Sequence, residues 1–93
     1  EYRSLDFFPD RSEWRNELVD ILSKCIGTYI IIGLPAEDYP ICYSSGYLLS
    51  IGYDYIELLN FYCDYYPGIG WFIGSFINDI PMDKIVAVTH HIA

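Results

Sequence analysis

The side chains of this sequence that could do chemistry are few: three cysteine thiols and two histidine imidazoles. Cys25, Cys42 and Cys63 are widely spaced and form no C-x-x-C pair, so we expect reduced thiols and no zinc site. His90 and His91 are adjacent, and adjacent strand residues point to opposite faces, so the two rings would not readily share a metal ion. The sequence therefore predicts no metal centre.

No pattern typical of catalysis accompanies these residues. The sequence has no phosphate-loop glycine pattern, no H-E-x-x-H motif and no Ser-His-Asp spacing. Cys63 is either a small buried residue on a helix face or a reactive thiol, and the adjacent Asp64 disfavours a thiolate. We therefore expect that the protein is not an enzyme.

The elements that would position such residues begin with a helix. Asp10 is a typical N-cap, Glu13 follows at the capping-box spacing, and Gly27 is a typical C-terminal stop. The apolar residues of this segment recur at the spacing of one helical face. They are Trp14, Leu18, Ile21, Leu22 and Cys25.

Strands and shorter helices are expected after this helix. Residues 28–32 (TYIII) predict a strand buried on both faces, and residues 40–44 predict a second strand that Ser45-Gly46 breaks. Residues 47–53 are ambiguous, with one helical turn that ends at Gly52 as an option. Asp54 is expected to cap a second short helix that carries Ile56, Leu59 and Cys63 and ends at Pro67-Gly68.

Two more strands are expected near the end of the chain. Residues 71–77 and 84–90 are rich in apolar and β-branched residues, and residues 78–81 between them suit a hairpin turn. A C-terminal helix that starts near Asp83 is the alternative to the last strand. The whole order predicts an α+β domain: a small antiparallel sheet with helices on one face.

The length of 93 residues predicts a single domain. Within it we expect an N-terminal cap segment at 1–10, a core at 11–80 and a C-terminal strand or helix at 81–93.

The segment from Pro40 to Gly68 resembles the flavin-proximal half of a light-oxygen-voltage (LOV) domain, a photosensory branch of the PAS family. The family pattern P-I-x-Y-x-S-x-G-F-L-x-L-T-G-Y is matched at PICYSSGYLLSIGY, with one residue fewer before Gly46. Cys63 falls at the position of the family's photoactive cysteine. GWFIGSFINDI is similar to the family's last strand, so the resemblance covers about residues 28–80 and implies a shortened PAS-like fold.

The resemblance implies a sensory or signalling domain that binds FMN or FAD and acts through protein–protein interaction. Cys63 would form the flavin adduct after blue-light absorption. The sequence departs from the family at Tyr62, Asp64, Pro67 and Phe76, which replace the motif Asn, Arg, Gln and last-strand Gln. The implied cofactor-binding residues are Ile30, Ile32, Ile41, Tyr43, Leu48, Cys63, Phe72 and Phe76.

Composition leaves other function classes open. The net charge is -8 with only five lysines and arginines, which disfavours nucleic acid and anionic membranes as partners. The ten tyrosines cannot all be central, so an exposed aromatic patch, a protein partner or a homodimer is expected. A small acidic protein-binding module of the immunity-protein or inhibitor type is the alternative function, and a designed miniature is the third. A cytoplasmic location is expected, because no signal peptide or long apolar run is visible.

Overall fold

A computed structural model describes residues 1–8 and 10–90. Their elements are β1 (Tyr2–Ser4), α1 (Arg11–Ser23), β2 (Tyr29–Leu34), β3 (Cys42–Ile51), β4 (Tyr55–Tyr66), β5 (Gly70–Pro81) and β6 (Ala87–Thr89). Short 3-10 turns occupy Leu5–Phe7 and Met82–Lys84. Within the described ranges the strands form one antiparallel sheet in the order β1-β6-β2-β3-β4-β5.

The predicted fold class is therefore wrong. The described chain is a small sheet-dominated fold of six strands with one α-helix, rather than an α+β domain with several helices on one face. The predicted helical turn at 47–53 falls largely within β3, and the helix predicted from Asp54 to its end at Pro67-Gly68 is β4. The physical reason is that Ile56 and Leu58 alternate with outward-facing residues, and this period of two is satisfied by pairing with both β3 and β5.

The first helix is confirmed. The Asp10 carboxylate accepts a hydrogen bond from the Glu13 backbone N–H at 2.8 Å, which caps α1. The chain turns at Gly27, whose φ of +88° belongs to the left-handed region. The predicted stripe packs on the sheet, and Trp14 donates its indole N–H to the Ile85 carbonyl at 2.8 Å.

The strand at 28–32 is confirmed, but its burial on both faces is wrong. Ile30 and Ile32 are fully buried against α1, whereas Tyr29 and Ile31 are exposed on the other side of the sheet. The sheet thus has one covered face and one open face. The core lies entirely on the covered side, between α1 and residues from β2, β3, β4, β5 and β6.

The predicted break at Ser45-Gly46 is also wrong, because β3 runs through it. A Cβ at Gly46 would lie 2.9 Å from the Leu59 carbonyl oxygen and 3.1 Å from the Leu58 Cβ. The glycine is therefore present because β4 passes close to the β3 backbone here, and it does not form a turn.

The predicted hairpin turn at 78–81 lies instead within β5. The turn that joins β4 to β5 is at Pro67-Gly68: Gly68 has φ +88°, and the Ile69 N–H donates to the Tyr66 carbonyl at 3.0 Å. The last strand is confirmed over Ala87–Thr89, and it pairs with β1 and β2 rather than with β5.

The N-terminal segment does more than cap the core. Residues 2–4 form an edge strand, while Phe8 packs on Trp14 with ring centroids 5.5 Å apart. His91 lies outside the described residues, and His90 is hydrogen bonded through its backbone to Glu1.

The β4–β5 hairpin divides into two parts. In the first part, residues 55–59 pair with 77–81 and also lie beside β3; we call it the root. In the second part, residues 60–66 pair with 70–76, and no β3 pairing accompanies them within the described register; we call it the arm. The molecule is correspondingly long, with extents of 57 × 32 × 24 Å.

Candidate functional site

The residues that the LOV resemblance assigns to a flavin site are dispersed over the sheet. Ile30, Ile32 and Leu48 are fully buried in the core beneath α1. Ile41 lies just before β3, and its side chain lies against Gly33. Tyr43 is exposed on β3, at a position that pairs with Gly33 on the open face.

The three remaining flavin-site residues lie on the arm, but on its two opposite faces. Cys63 is an odd-numbered residue of β4 that pairs with Ile73, so it belongs to the open face. Phe72 and Phe76 pair with Asp64 and Asn60, so they lie on the face that continues the covered side. A thiol and an aromatic ring on opposite sides of one ribbon cannot contact the same flavin ring system. These residues do not fit a flavin, and flavin binding stays a prediction from the resemblance.

What the structure brings together is the open face of the sheet. Strand alternation and register place a continuous set of large exposed side chains on it. They are Tyr2, Tyr29, Ile31, Tyr43, Tyr47, Tyr55, Phe61, Tyr65, Trp71, Ile73 and Ile77. A patch of this length, mostly aromatic, is typical of an association surface.

The rings of the open face contact one another across strands. Tyr29 and Tyr47 meet edge to face with centroids 5.3 Å apart, and Tyr47 meets Phe61 in the same manner at 6.3 Å. The Tyr29 hydroxyl donates to the Ser45 hydroxyl at 2.7 Å. Such cross-strand contacts hold the rings in defined positions, so the surface is ordered before any partner arrives.

Charge is nearly absent from the open face. Among the described strand residues that point to it, only Glu57 and Asp79 are charged, and they pair with each other at the root. The rest of the net charge of -8 lies elsewhere on the chain. The open face therefore suits an apolar partner surface better than a basic one.

The arm is apolar on its other face as well. Tyr62 contacts Phe72 and Phe76 with centroid distances of 6.0 and 6.2 Å, and Tyr66 lies 4.9 Å from Phe72. The Tyr62 ring also lies over Gly74, where an added Cβ would be 2.3 Å from it. α1 does not reach these rings, all of which are exposed.

The basic residues of α1 are committed to structural contacts. Arg15 donates to the Asp83 carboxylate at 2.9 Å and to the Tyr53 carbonyl at 2.6 Å, and it lies 5.8 Å from the centre of the Tyr53 ring. Arg11 donates to the Asp83 carbonyl. These bonds attach the helix to the loops at the end of the sheet rather than forming an anion site.

Burial raises the pKa of the Cys25 thiol, so this thiol is held in its neutral form. Cys42 and Cys63 are exposed. Within residues 1–8 and 10–90 no group of three or more histidine, cysteine or acidic side chains is placed to hold a metal ion. In the same ranges no helix is long and apolar enough to cross a membrane.

Comparisons of the chain with protein-family models, with curated proteins and with solved structures give no match.

The sequence predicts an exposed aromatic patch but not its arrangement. Tyr53, Tyr55, Tyr62, Tyr65 and Tyr66 are all exposed. The missed signal is the pattern of YIELLNFYCDYY and GWFIGSFINDI, in which apolar residues occupy both odd and even positions beyond the core residues. This pattern indicates a two-stranded ribbon that is apolar on both faces beyond the end of the core.

Proposed function

We propose that this chain is a protein-binding module whose association surface is the open face of its sheet. The observation that carries the proposal is the extent of ordered, exposed and almost uncharged aromatic surface on one side of the domain. The acidic residues elsewhere keep so apolar a chain dispersed in water, while the open face supplies the contact.

The size of the surface supports the proposal. Eleven large side chains are between 36% and 73% exposed on the open face. Aromatic side chains expose ~150–250 Å² each when free, so this set presents on the order of 1,000 Å². A stable protein–protein interface buries about 800 Å² on each partner.

The chemistry of the surface also favours protein over other partners. Tyrosine and tryptophan supply large contact area with few rotatable bonds, and they dominate the energetics of protein interfaces. Phosphate groups of nucleic acids would require clustered lysine and arginine, which the open face lacks.

Site-specific photo-cross-linking tests the proposal. A benzophenone amino acid placed at Phe61, in the middle of the open face, is compared with the same group at Val19, an exposed position of α1. The variants are expressed in the native host, and adducts are identified by mass spectrometry. We expect protein adducts from position 61 and few from position 19.

Equal yields at both positions, or none from position 61, would overturn the assignment of this face. Two spectroscopic controls separate the other functions. An absorption band near 450 nm that bleaches under blue light would support the LOV-type alternative instead. A blue shift of Trp71 fluorescence with zwitterionic lipid vesicles would indicate a lipid surface as the partner.

A further inference from the structure

The two edge strands of the sheet differ in how open they are to further pairing. β1, at one edge, has three residues and includes the charged Arg3. β5, at the other edge, has twelve residues and pairs with β4 in unbroken register from Gly70 to Pro81. One side of β5 therefore presents a long, regular row of unpaired backbone N–H and C=O groups.

β5 lacks the features by which natural edge strands avoid pairing. It contains no lysine or arginine and has no register shift against β4. Its proline is the last residue of the strand, and its only charged residue, Asp79, lies at the root. A long, regular, apolar edge of this kind is a template for strand addition.

We propose that β5 pairs antiparallel with β5 of a second copy of this chain, about a two-fold axis that passes by Gly74. This inference goes beyond the proposed function, because it assigns a partner to the outer edge of β5 rather than to the open face. The pairing joins two six-stranded sheets edge to edge, and the open faces of both copies then lie on the same side.

The sequence of β5 is complementary to itself about that axis. With Gly74 opposite Gly74 of the second copy, Phe72 meets Phe76 and Trp71 meets Ile77 across the new pair of strands. Residues directly opposite share a face, so Phe72 and Phe76 join the ring cluster around Tyr62, while Trp71 and Ile77 extend the open face.

Charge selects a second copy over a basic partner strand. Two copies of net charge -8 repel one another, so their approach costs the least electrostatic energy along a stretch of strand without charged side chains. A lysine-rich strand would find no carboxylate along residues 70–78 of β5. Closure about a two-fold axis also pairs the twelve-residue edge of β5 with itself, so this edge cannot add a third copy.

Analytical ultracentrifugation over a range of concentrations, together with amide hydrogen exchange followed by NMR, tests the proposal on the full chain. We expect a reversible dimer. Alternate amides of β5, which exchange rapidly in a free edge strand, should become protected as concentration rises. A chain that stays monomeric overturns the proposal, and so does a dimer without this protection.

Matched lysine substitutions at two exposed isoleucines of the hairpin provide the control. Ile73→Lys places a charge beside the two-fold axis, and Ile69→Lys places it in the turn, outside the paired strands. We expect Ile73→Lys to weaken the dimer by about tenfold or more, and Ile69→Lys to leave it intact. Equal effects of the two substitutions would contradict strand pairing.

The two proposals fail separately. If the chain is monomeric but position 61 cross-links to a different protein, the edge pairing is wrong and the binding module stands. If neither a dimer nor a cross-linked protein is found, both are wrong.

Discussion

The root and the arm of the β4–β5 hairpin belong to the same two strands, share one register and have similar apolar content, yet their burial is opposite. At the root, Ile56 and Leu58 are fully buried and Ile80 nearly so. On the same face of the arm, Tyr62, Phe72 and Phe76 are exposed. The difference in burial comes from α1 rather than from the strands themselves, because α1 covers the root and ends before the arm.

This contrast separates two uses of apolar side chains. Those at the root stabilise the fold, since each removes its area from water against α1 and the neighbouring strands. Those on the arm gain less in the isolated chain, because neither α1 nor β3 lies beside them. Their apolar character makes physical sense when a partner covers them.

Truncation of one side chain in each part gives the largest expected effect. We expect Leu58→Ala to reduce the free energy of unfolding by ~2–5 kcal/mol, because it opens a cavity in a filled core. Ile73→Ala, on the arm, should change it by about 0.5 kcal/mol or less in dilute solution. Urea denaturation at low protein concentration measures both values.

Comparable losses from the two substitutions would mean that the arm is packed in the isolated chain, and the contrast would then be lost. Repeating the measurement at high protein concentration tests whether association stabilises the arm. If the arm associates, Ile73→Ala becomes more costly as concentration rises, while the cost of Leu58→Ala stays the same.

Gly46 lies where the arm parts from β3, so it tests the boundary between the two regions. An alanine Cβ there would lie 2.9 Å from the Leu59 carbonyl oxygen, a backbone atom that cannot rotate away. We expect Gly46→Ala to cost ~1–3 kcal/mol of stability through this overlap. Ser44→Ala, two residues away on the same face, should cost much less, and thermal unfolding compares the two variants.

The sequence predicts α1 and β2 better than it predicts the root of the β4–β5 hairpin. The helix from Asp10, its buried stripe and the strand at Tyr29–Leu34 were predictable because capping, helical spacing and β-branched residues all agree there. The segment from Asp54 to Pro67-Gly68 is predicted as a helix and is β4 in the structure. Ile56, Leu59 and Cys63 have helical spacing, while the deciding period of two depends on partner strands that local sequence does not show.

The sequence predicts what kind of site the chain carries but not which residues form it. Ten tyrosines in a short acidic chain indicate an exposed aromatic patch, and the structure has one. Which rings share a face follows from register, and register follows from Pro67-Gly68 being the turn rather than Asn78–Pro81. Which of these two segments forms the turn depends on tertiary packing, so the sequence alone does not determine it.

Thiol reactivity distinguishes the core from the arm by a smaller effect. Cys25 is buried in the core at the turn that follows α1, and burial raises the pKa of its thiol, whereas Cys63 is exposed on the arm. We expect a neutral alkylating reagent to modify Cys63 and Cys42 quickly and Cys25 only on unfolding. Peptide mass spectrometry over time gives the three rates. Fast modification of Cys25 in the folded protein would show that the core is open to the reagent near the end of α1.

The smallest expected effect lies at the far end of the covered side, at the cap of α1. Hydrogen bonds from the Ser12 hydroxyl and the Glu13 backbone N–H lower the pKa of the Asp10 carboxyl below its usual value of 3.8. A lowered folded-state pKa stabilises the fold above the unfolded-state value, and this contribution is lost as the pH falls through the folded-state value. Asp10→Ala should therefore lower the melting temperature at neutral pH by an amount that shrinks in acid. Asp10→Asn retains a capping oxygen without titrating, so it should be the less damaging change.

Because the cap supports only the helix over the root, neither variant should alter association through the arm. A change in association with Asp10→Ala would show that the two regions are coupled.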